Sequence, residues 1–222
     1  MPNKLQKFAD FNRFENCFFL PFEKIEEGLP LKGKWRSDYF KNNNPIVVEL
    51  GCGRGEYTVG LGRKNKHKNY IGVDIKGNRI WTGAKQALDE KLNNIAFIRT
   101  RIDFIANCFS TEEVDEIWIT FPDPQPQKPR ERKRLTNPKF LSKYFSFLKQ
   151  DGMIHLKTDN TGFYEYTLEV IANENLKLVH HSSDLYAFNP SGLKELIEIQ
   201  TYYEKLFSEK GEKIKYCSFK KG

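Results

Sequence analysis

Two short stretches hold residue types that can do chemistry at a spacing that brings them together. In "ELGCGRG", Gly51, Gly53 and Gly55 follow an apolar run and precede a helical pattern. Bare backbone in that setting approaches a ligand at a helix amino terminus. A dinucleotide fingerprint, GxGxxG, needs its third glycine where Glu56 stands, so a nicotinamide cofactor is disfavoured. Glu49 lies just upstream of the first glycine, and Asp74 ends the next apolar run, "YIGVDI". The first carboxylate suits a ligand ammonium and the second the two hydroxyls of a ribose. S-adenosylmethionine combines those two demands. Exposed strand-end side chains are the lesser alternative for both carboxylates, and the next motif weakens it further.

The second stretch is "FPDPQPQKPRERKR", Phe121 to Arg134. Asp123 sits between Pro122 and Pro124, which fix their own φ and restrict their neighbours. With Pro126 and Pro129, this stiffness contributes about 2 to 4 kcal/mol through the unfolded chain. Lys128, Arg130, Arg132, Lys133 and Arg134 follow, broken only by Glu131. Such a run is often a plain solvated face. Placed directly after a candidate catalytic corner, it favours phosphates and hence nucleic acid.

The elements that must position these groups alternate along the chain. "IVVEL", "YIGVDI", "IAFIR", "EIWITF", "GMIHLKT" and "LKLVHHS" read as strands separated by helical patterns. That alternation predicts a parallel sheet covered by helices on both faces, with ligands outside the carboxyl ends of the strands. Asn137 is placed to cap a helix that starts at Pro138, and a helix from Thr161 turns Phe163, Thr167, Val170 and Ile171 inward. The stretch "LIEIQTYYEKLFSEKGEKIKYCSF" predicts a helix that turns at Gly211 into a last strand, after the aperiodic "DLYAFNPSGLK". Residues 1–44 read as a partly irregular amino-terminal extension and 45–222 as the catalytic domain.

Composition narrows the classes. At 222 residues, 39% hydrophobic and 29% charged, the chain can bury a core without staples. No apolar run approaches the length of about 18 needed to span a bilayer, and no signal peptide is apparent, so a cytoplasmic protein is expected. The four cysteines form no CxxC pair and the four histidines show no ligand spacing, so reduced thiols and no metal are expected. A net charge of +7 permits a polyanionic partner without establishing one.

With these motifs assembled, the sequence resembles the bacterial tRNA (guanine-N7)-methyltransferase family, a branch of the class I S-adenosylmethionine-dependent methyltransferases. The likeness runs from Lys32 to the end and rests on "ELGCGRG", "YIGVDI", "FPDP" with its basic run, "HLKTDN" and "TYYEK". It implies an α/β, Rossmann-like fold: a seven-stranded, mostly parallel sheet with helices on both faces and the last strand antiparallel. It also implies S-adenosylmethionine as cofactor, tRNA as partner, and methylation at N7 of a guanosine in the variable loop.

Residue by residue, the resemblance assigns cofactor contacts to Glu49, Gly51, Gly53, Asp74 and Asp123, the active-site carboxylate to Asp123, and guanosine binding to Asp159, Thr201 and Glu204. Two departures stand out. Where the family has an acidic residue on the adenine side, this chain has Arg101, with Asp103 following, and both are candidates for that contact. The tryptophan and lysine of the family's proline loop are Gln125 and Gln127 here, leaving Gln127 on the substrate side and Lys128 as the nearest cation.

Guanine N7 already owns a lone pair, so the expected task of Asp123, Asp159 and Glu204 is to accept hydrogen bonds from guanine N1 and N2. A class I methyltransferase with another acceptor and a non-catalytic RNA-binding relative are the competing readings. No membrane and no obligatory protein partner are expected, and the chain is read as a monomer or homodimer.

Overall fold

Alternate residues of a strand face opposite sides of a sheet, and this chain uses the two sides differently. The computed structural model describes residues 2–188 and 195–222. Its strands are β1 (Cys17–Phe19), β2 (Ile46–Leu50), β3 (Asn69–Asp74), β4 (Ile95–Arg99), β5 (Val114–Thr120), β6 (Leu148–Thr158), β7 (Lys177–Ser182) and β8 (Lys215–Lys220). They form one sheet in the order β1-β4-β3-β2-β5-β6-β8-β7. The pairs β1·β4, β4·β3, β3·β2, β2·β5 and β5·β6 are parallel, and β8 runs antiparallel to both β6 and β7. The expected antiparallel last strand is therefore present.

There are eight strands among the described residues where seven were expected. The additional one is β1, which pairs Cys17 with Phe97 and Phe19 with Arg99. Three residues are too few to show a period, yet they cover the backbone edge of β4. The amino-terminal segment is anchored further on: Glu113 accepts from Gly33 N–H at 2.8 Å and Trp35 N–H at 3.2 Å, and the Trp35 indole donates to the Cys108 carbonyl at 3.0 Å.

Helices α1 (Lys4–Phe11), α2 (Glu56–Lys64) and α3 (Gly77–Asp89) lie on one side of the sheet, and α4 (Pro138–Phe145) and α5 (Thr161–Asn173) on the other. The short α6 (Leu185–Phe188) and α7 (Glu195–Glu198) precede α8 (Tyr202–Glu209). Asn137 caps α4 by accepting from Lys139 N–H, and the four α5 residues expected inward are buried. The α4/α5 side is packed by Ile46, Val48, Leu50, Ile117, Ile119, Ile154 and Leu156. The intervening positions point to the α2 side, and there Glu49, Thr120, His155 and Lys157 are all buried. Polar groups inside a domain must find partners, and these lie toward the carboxyl edge of the sheet.

Candidate active site

The glycine loop leaves β2 and at once bonds to β3, because Gly51 N–H and Cys52 N–H both donate to the Val73 carbonyl, at 2.8 and 3.0 Å. Gly53 has φ +56, and a Cβ there would meet nothing within 4 Å, so bare backbone faces open space. Gly55 is needed for packing: a Cβ would meet the Phe97 ring at 2.7 Å. Asp74 braces the loop, accepting from Gly53 N–H at 3.0 Å and from Lys76 N–H at 2.8 Å. A carboxylate offers about four lone-pair sites, so Asp74 retains acceptor capacity for ribose hydroxyls. The bare loop and this carboxylate fit a nucleoside cofactor.

Glu49 was expected at the strand tip, open to a ligand. It is instead only 3% exposed, roofed by α2. Thr120 Oγ1 donates to its Oε1 at 2.5 Å, and its Oε2 accepts from Thr58 N–H at 2.9 Å and from the Thr58 hydroxyl. Burial pushes the carboxyl up to about 7, against the pull of the Thr120 and Thr58 bonds.

This folded value lies above the ordinary 4.5 of the unfolded chain, so the folded state holds the extra proton between them. The contribution to stability is present at low pH and is lost as pH rises through 7. Glu49→Gln, which mimics the neutral form, should match wild type near pH 4.5 and exceed it by up to about 3 kcal/mol by about pH 8. Urea unfolding across pH measures this, and a pH-independent difference would remove Glu49 as the titrating group.

On the acceptor side, Phe121 N–H still pairs with the Lys157 carbonyl at 2.8 Å, after which the chain turns sharply. Phe121 and Gln125 have φ of +47 and +44, a left-handed conformation that side chains adopt at a cost. The prolines stiffen the corner, but these two residues make the bend. Asp123 is exposed between them and accepts from Gln125 N–H at 3.1 Å.

Arg134 holds the corner from behind. Its Nε donates to the Pro124 and Gln125 carbonyls at 3.3 and 3.4 Å, and its guanidinium lies 4.3 Å over the Tyr166 ring. The sequence placed Arg134 in the phosphate-gripping row, and the structure turns it inward as a clasp. Lys128, Arg130, Arg132 and Lys133 remain exposed on the 3-10 turn Lys128–Lys133, with Gln127 exposed at its start.

Asp159 follows β6 and is half-buried; burial raises its carboxyl above the usual range while Lys215 opposes the shift. Lys215 Nζ donates to the Asp159 carbonyl at 2.6 Å. Thr201 caps α8, its Oγ1 accepting from Glu204 N–H at 3.2 Å. Glu204 is fully buried, paired through Oε1 with Lys157 Nζ at 2.7 Å and with the Tyr186 hydroxyl at 2.8 Å, while its Oε2 has no partner among the described residues. Lys157 also donates to the Leu196 and Ile199 carbonyls. Burial pulls its ammonium below the usual range and Glu204 pushes back. Past β4, Arg101 and Asp103 face each other at 3.4 Å, so each offsets the charge of the other.

The ends of β2, β3, β5 and β6 thus carry Glu49, Asp74, Asp123 and Asp159 along one edge, and α8 joins them through Lys157. Sequence reading missed Lys157, Thr58 and Thr120. The available signal was a lysine inside the apolar run "MIHLKT", a charge that needs a buried partner.

A family profile described as "Putative methyltransferase" matches residues 43–217. A tRNA (guanine-N(7)-)-methyltransferase of Christiangramia forsetii is 50% identical over 98% of this chain and 97% of its own length. One of Bacteroides thetaiotaomicron is 46% identical over 98% of this chain and 85% of its own. Among solved structures, the 16S rRNA methyltransferase KamB has the same fold, with a TM-score of 0.60 at 13% identity over 86% of this chain and 92% of that one. With half of its residues shared along almost its entire length, the chain belongs to the tRNA (guanine-N7)-methyltransferase family.

Proposed function

We infer that this chain transfers a methyl group from S-adenosylmethionine to N7 of a guanosine in the tRNA variable loop. The observation that carries the reading is the row of carboxylates at one sheet edge beside an outward basic turn. When bound, S-adenosylmethionine supplies an electrophilic methyl group on a sulfonium. The glycine loop and Asp74 hold its nucleoside, while Glu49, buried beneath α2 and bonded to Thr58 and Thr120, acts on its methionine end from behind these threonines and not by open contact.

Asp123 and Asp159 accept from guanine N1–H and N2–H, which selects guanine over adenine and favours the cationic ring that methylation at N7 produces. Glu204 Oε2, buried and without a donor among the described residues, is an acceptor that a guanine N–H entering beside α8 would satisfy. No general base is required, because the attacking nitrogen carries no proton. In this reading residues 45–222 perform the reaction in the cytoplasm. Among the described residues no helix is long and apolar enough to cross a membrane.

Incubation with labelled S-adenosylmethionine and unmodified tRNA, followed by nucleoside analysis, tests the assignment: absence of labelled 7-methylguanosine defeats it. Neutralising Lys128, Arg130, Arg132 and Lys133 should also reduce the slope of log K for tRNA against log salt by about 3 to 4 units, with cofactor affinity unchanged. A methyltransferase for a different acceptor would keep its slope.

A further inference from the structure

The aromatic residues at the start of α8 stand outside for no reason of packing. Tyr202 and Tyr203 are 51% and 45% exposed, although α8 docks through buried Glu204 and half-buried Phe207. Their neighbourhood is ordered. The Tyr203 ring is nearly parallel to Phe207 at 6.4 Å and 22°, and Phe207 to Phe121 at 6.5 Å and 19°. Phe121 is the residue from which the Asp123 corner departs. At the opposite end, Tyr202 N–H donates to Glu56 Oε2 at 2.8 Å, and Arg54 of the glycine loop lies 5.5 Å over the Tyr202 ring. The aromatic row therefore runs from the cofactor loop to the acceptor corner. Lys210 stands 5.8 Å from the Phe207 ring, so cations border it on both sides.

One exposed ring, Tyr203, backed by two half-buried rings roughly parallel to it and bordered by cations, matches the chemistry of an unpaired nucleotide. Every base presents a π-face to an aromatic side chain, and its flanking phosphates seek the cations. We propose that Tyr203, backed by Phe207 and Phe121, is a stacking platform for the tRNA base beside the methylated guanosine, with Arg54 and Lys210 set for the adjoining phosphates. The proposal rests on the tRNA reading above. A second copy of the chain is the poorer occupant: each copy carries a net charge of +7, and docking two such faces would bring their bordering cations together.

Binding of an unmodified tRNA transcript to the full-length protein, measured at several salt concentrations, provides the test. Tyr203→Ala should weaken binding by about fivefold to a hundredfold, the loss expected for one base–aromatic stack. The salt slope should stay that of wild type, because stacking releases no counterions. Tyr203→Phe, which keeps the ring, should restore most of the affinity.

Unchanged affinity in Tyr203→Ala overturns the platform. A fall in sedimentation mass on the same substitution also overturns it, by assigning the face to self-association. Methylation is scored separately. A wild-type chain that binds tRNA but yields no 7-methylguanosine sinks the functional reading, while the comparison of wild type with Tyr203→Ala still decides the platform.

Discussion

Replacing Asp123 by Asn should lower methyl transfer to tRNA by about 10² to 10³, the usual loss when one preorganised electrostatic stabiliser is removed. The amide keeps the shape of the side chain and an oxygen for Gln125 N–H, so the bend held by Phe121, Gln125 and Arg134 persists. What disappears is the negative charge proposed to face the guanine ring as that ring becomes cationic. Asp123 is exposed, so thermal stability should stay within about 0.5 kcal/mol of wild type. Single-turnover rates at saturating cofactor and tRNA isolate the step. Near-normal turnover in the variant would remove Asp123 from the active site.

Lys157→Met should cost about 3 to 5 kcal/mol of stability, because it strands the Glu204 carboxylate inside the protein without its counter-ion. The pair is fully buried, with 0% exposure of both side chains, so solvent cannot screen the loss. The double variant Lys157→Met/Glu204→Leu removes both charges and should regain most of that stability, since well-packed apolar groups often replace a buried ion pair without net cost. It should nevertheless fail to methylate tRNA, having lost the acceptor proposed for guanine. Urea unfolding of the single and double variants separates the two effects. Equal destabilisation in both would show that the ion pair is not what fastens α8 to β6.

Most of the sheet could be read directly because its strands are short apolar runs bounded by glycine, proline and asparagine, a pattern with a period of its own. β2, β3, β4 and the helix after Asn137 follow from it. β1 does not, because three residues at the edge of a sheet carry no period and are recognised only by the strand they join. At the site, Gly53 and Asp74 were visible as types at a strand end, where chain geometry alone sets the direction of the ligand. Arg134 was not separable from its four basic neighbours by composition. Its inward turn depends on two carbonyls and a Tyr166 ring that reach it through folding.

Local pattern was sufficient for the order of elements and the edge that holds the site, since each depends on residues a few positions apart, but not for the buried polar groups Glu49, Thr120 and Lys157. Which of those polar groups meet was settled by contacts between distant segments. Glu49 finds Thr120 71 positions away, and Lys157 meets Glu204 at the far end of the chain. Burial is a property of the assembled layers, and it turned a carboxylate expected at an open strand tip into a roofed group that titrates at about 7.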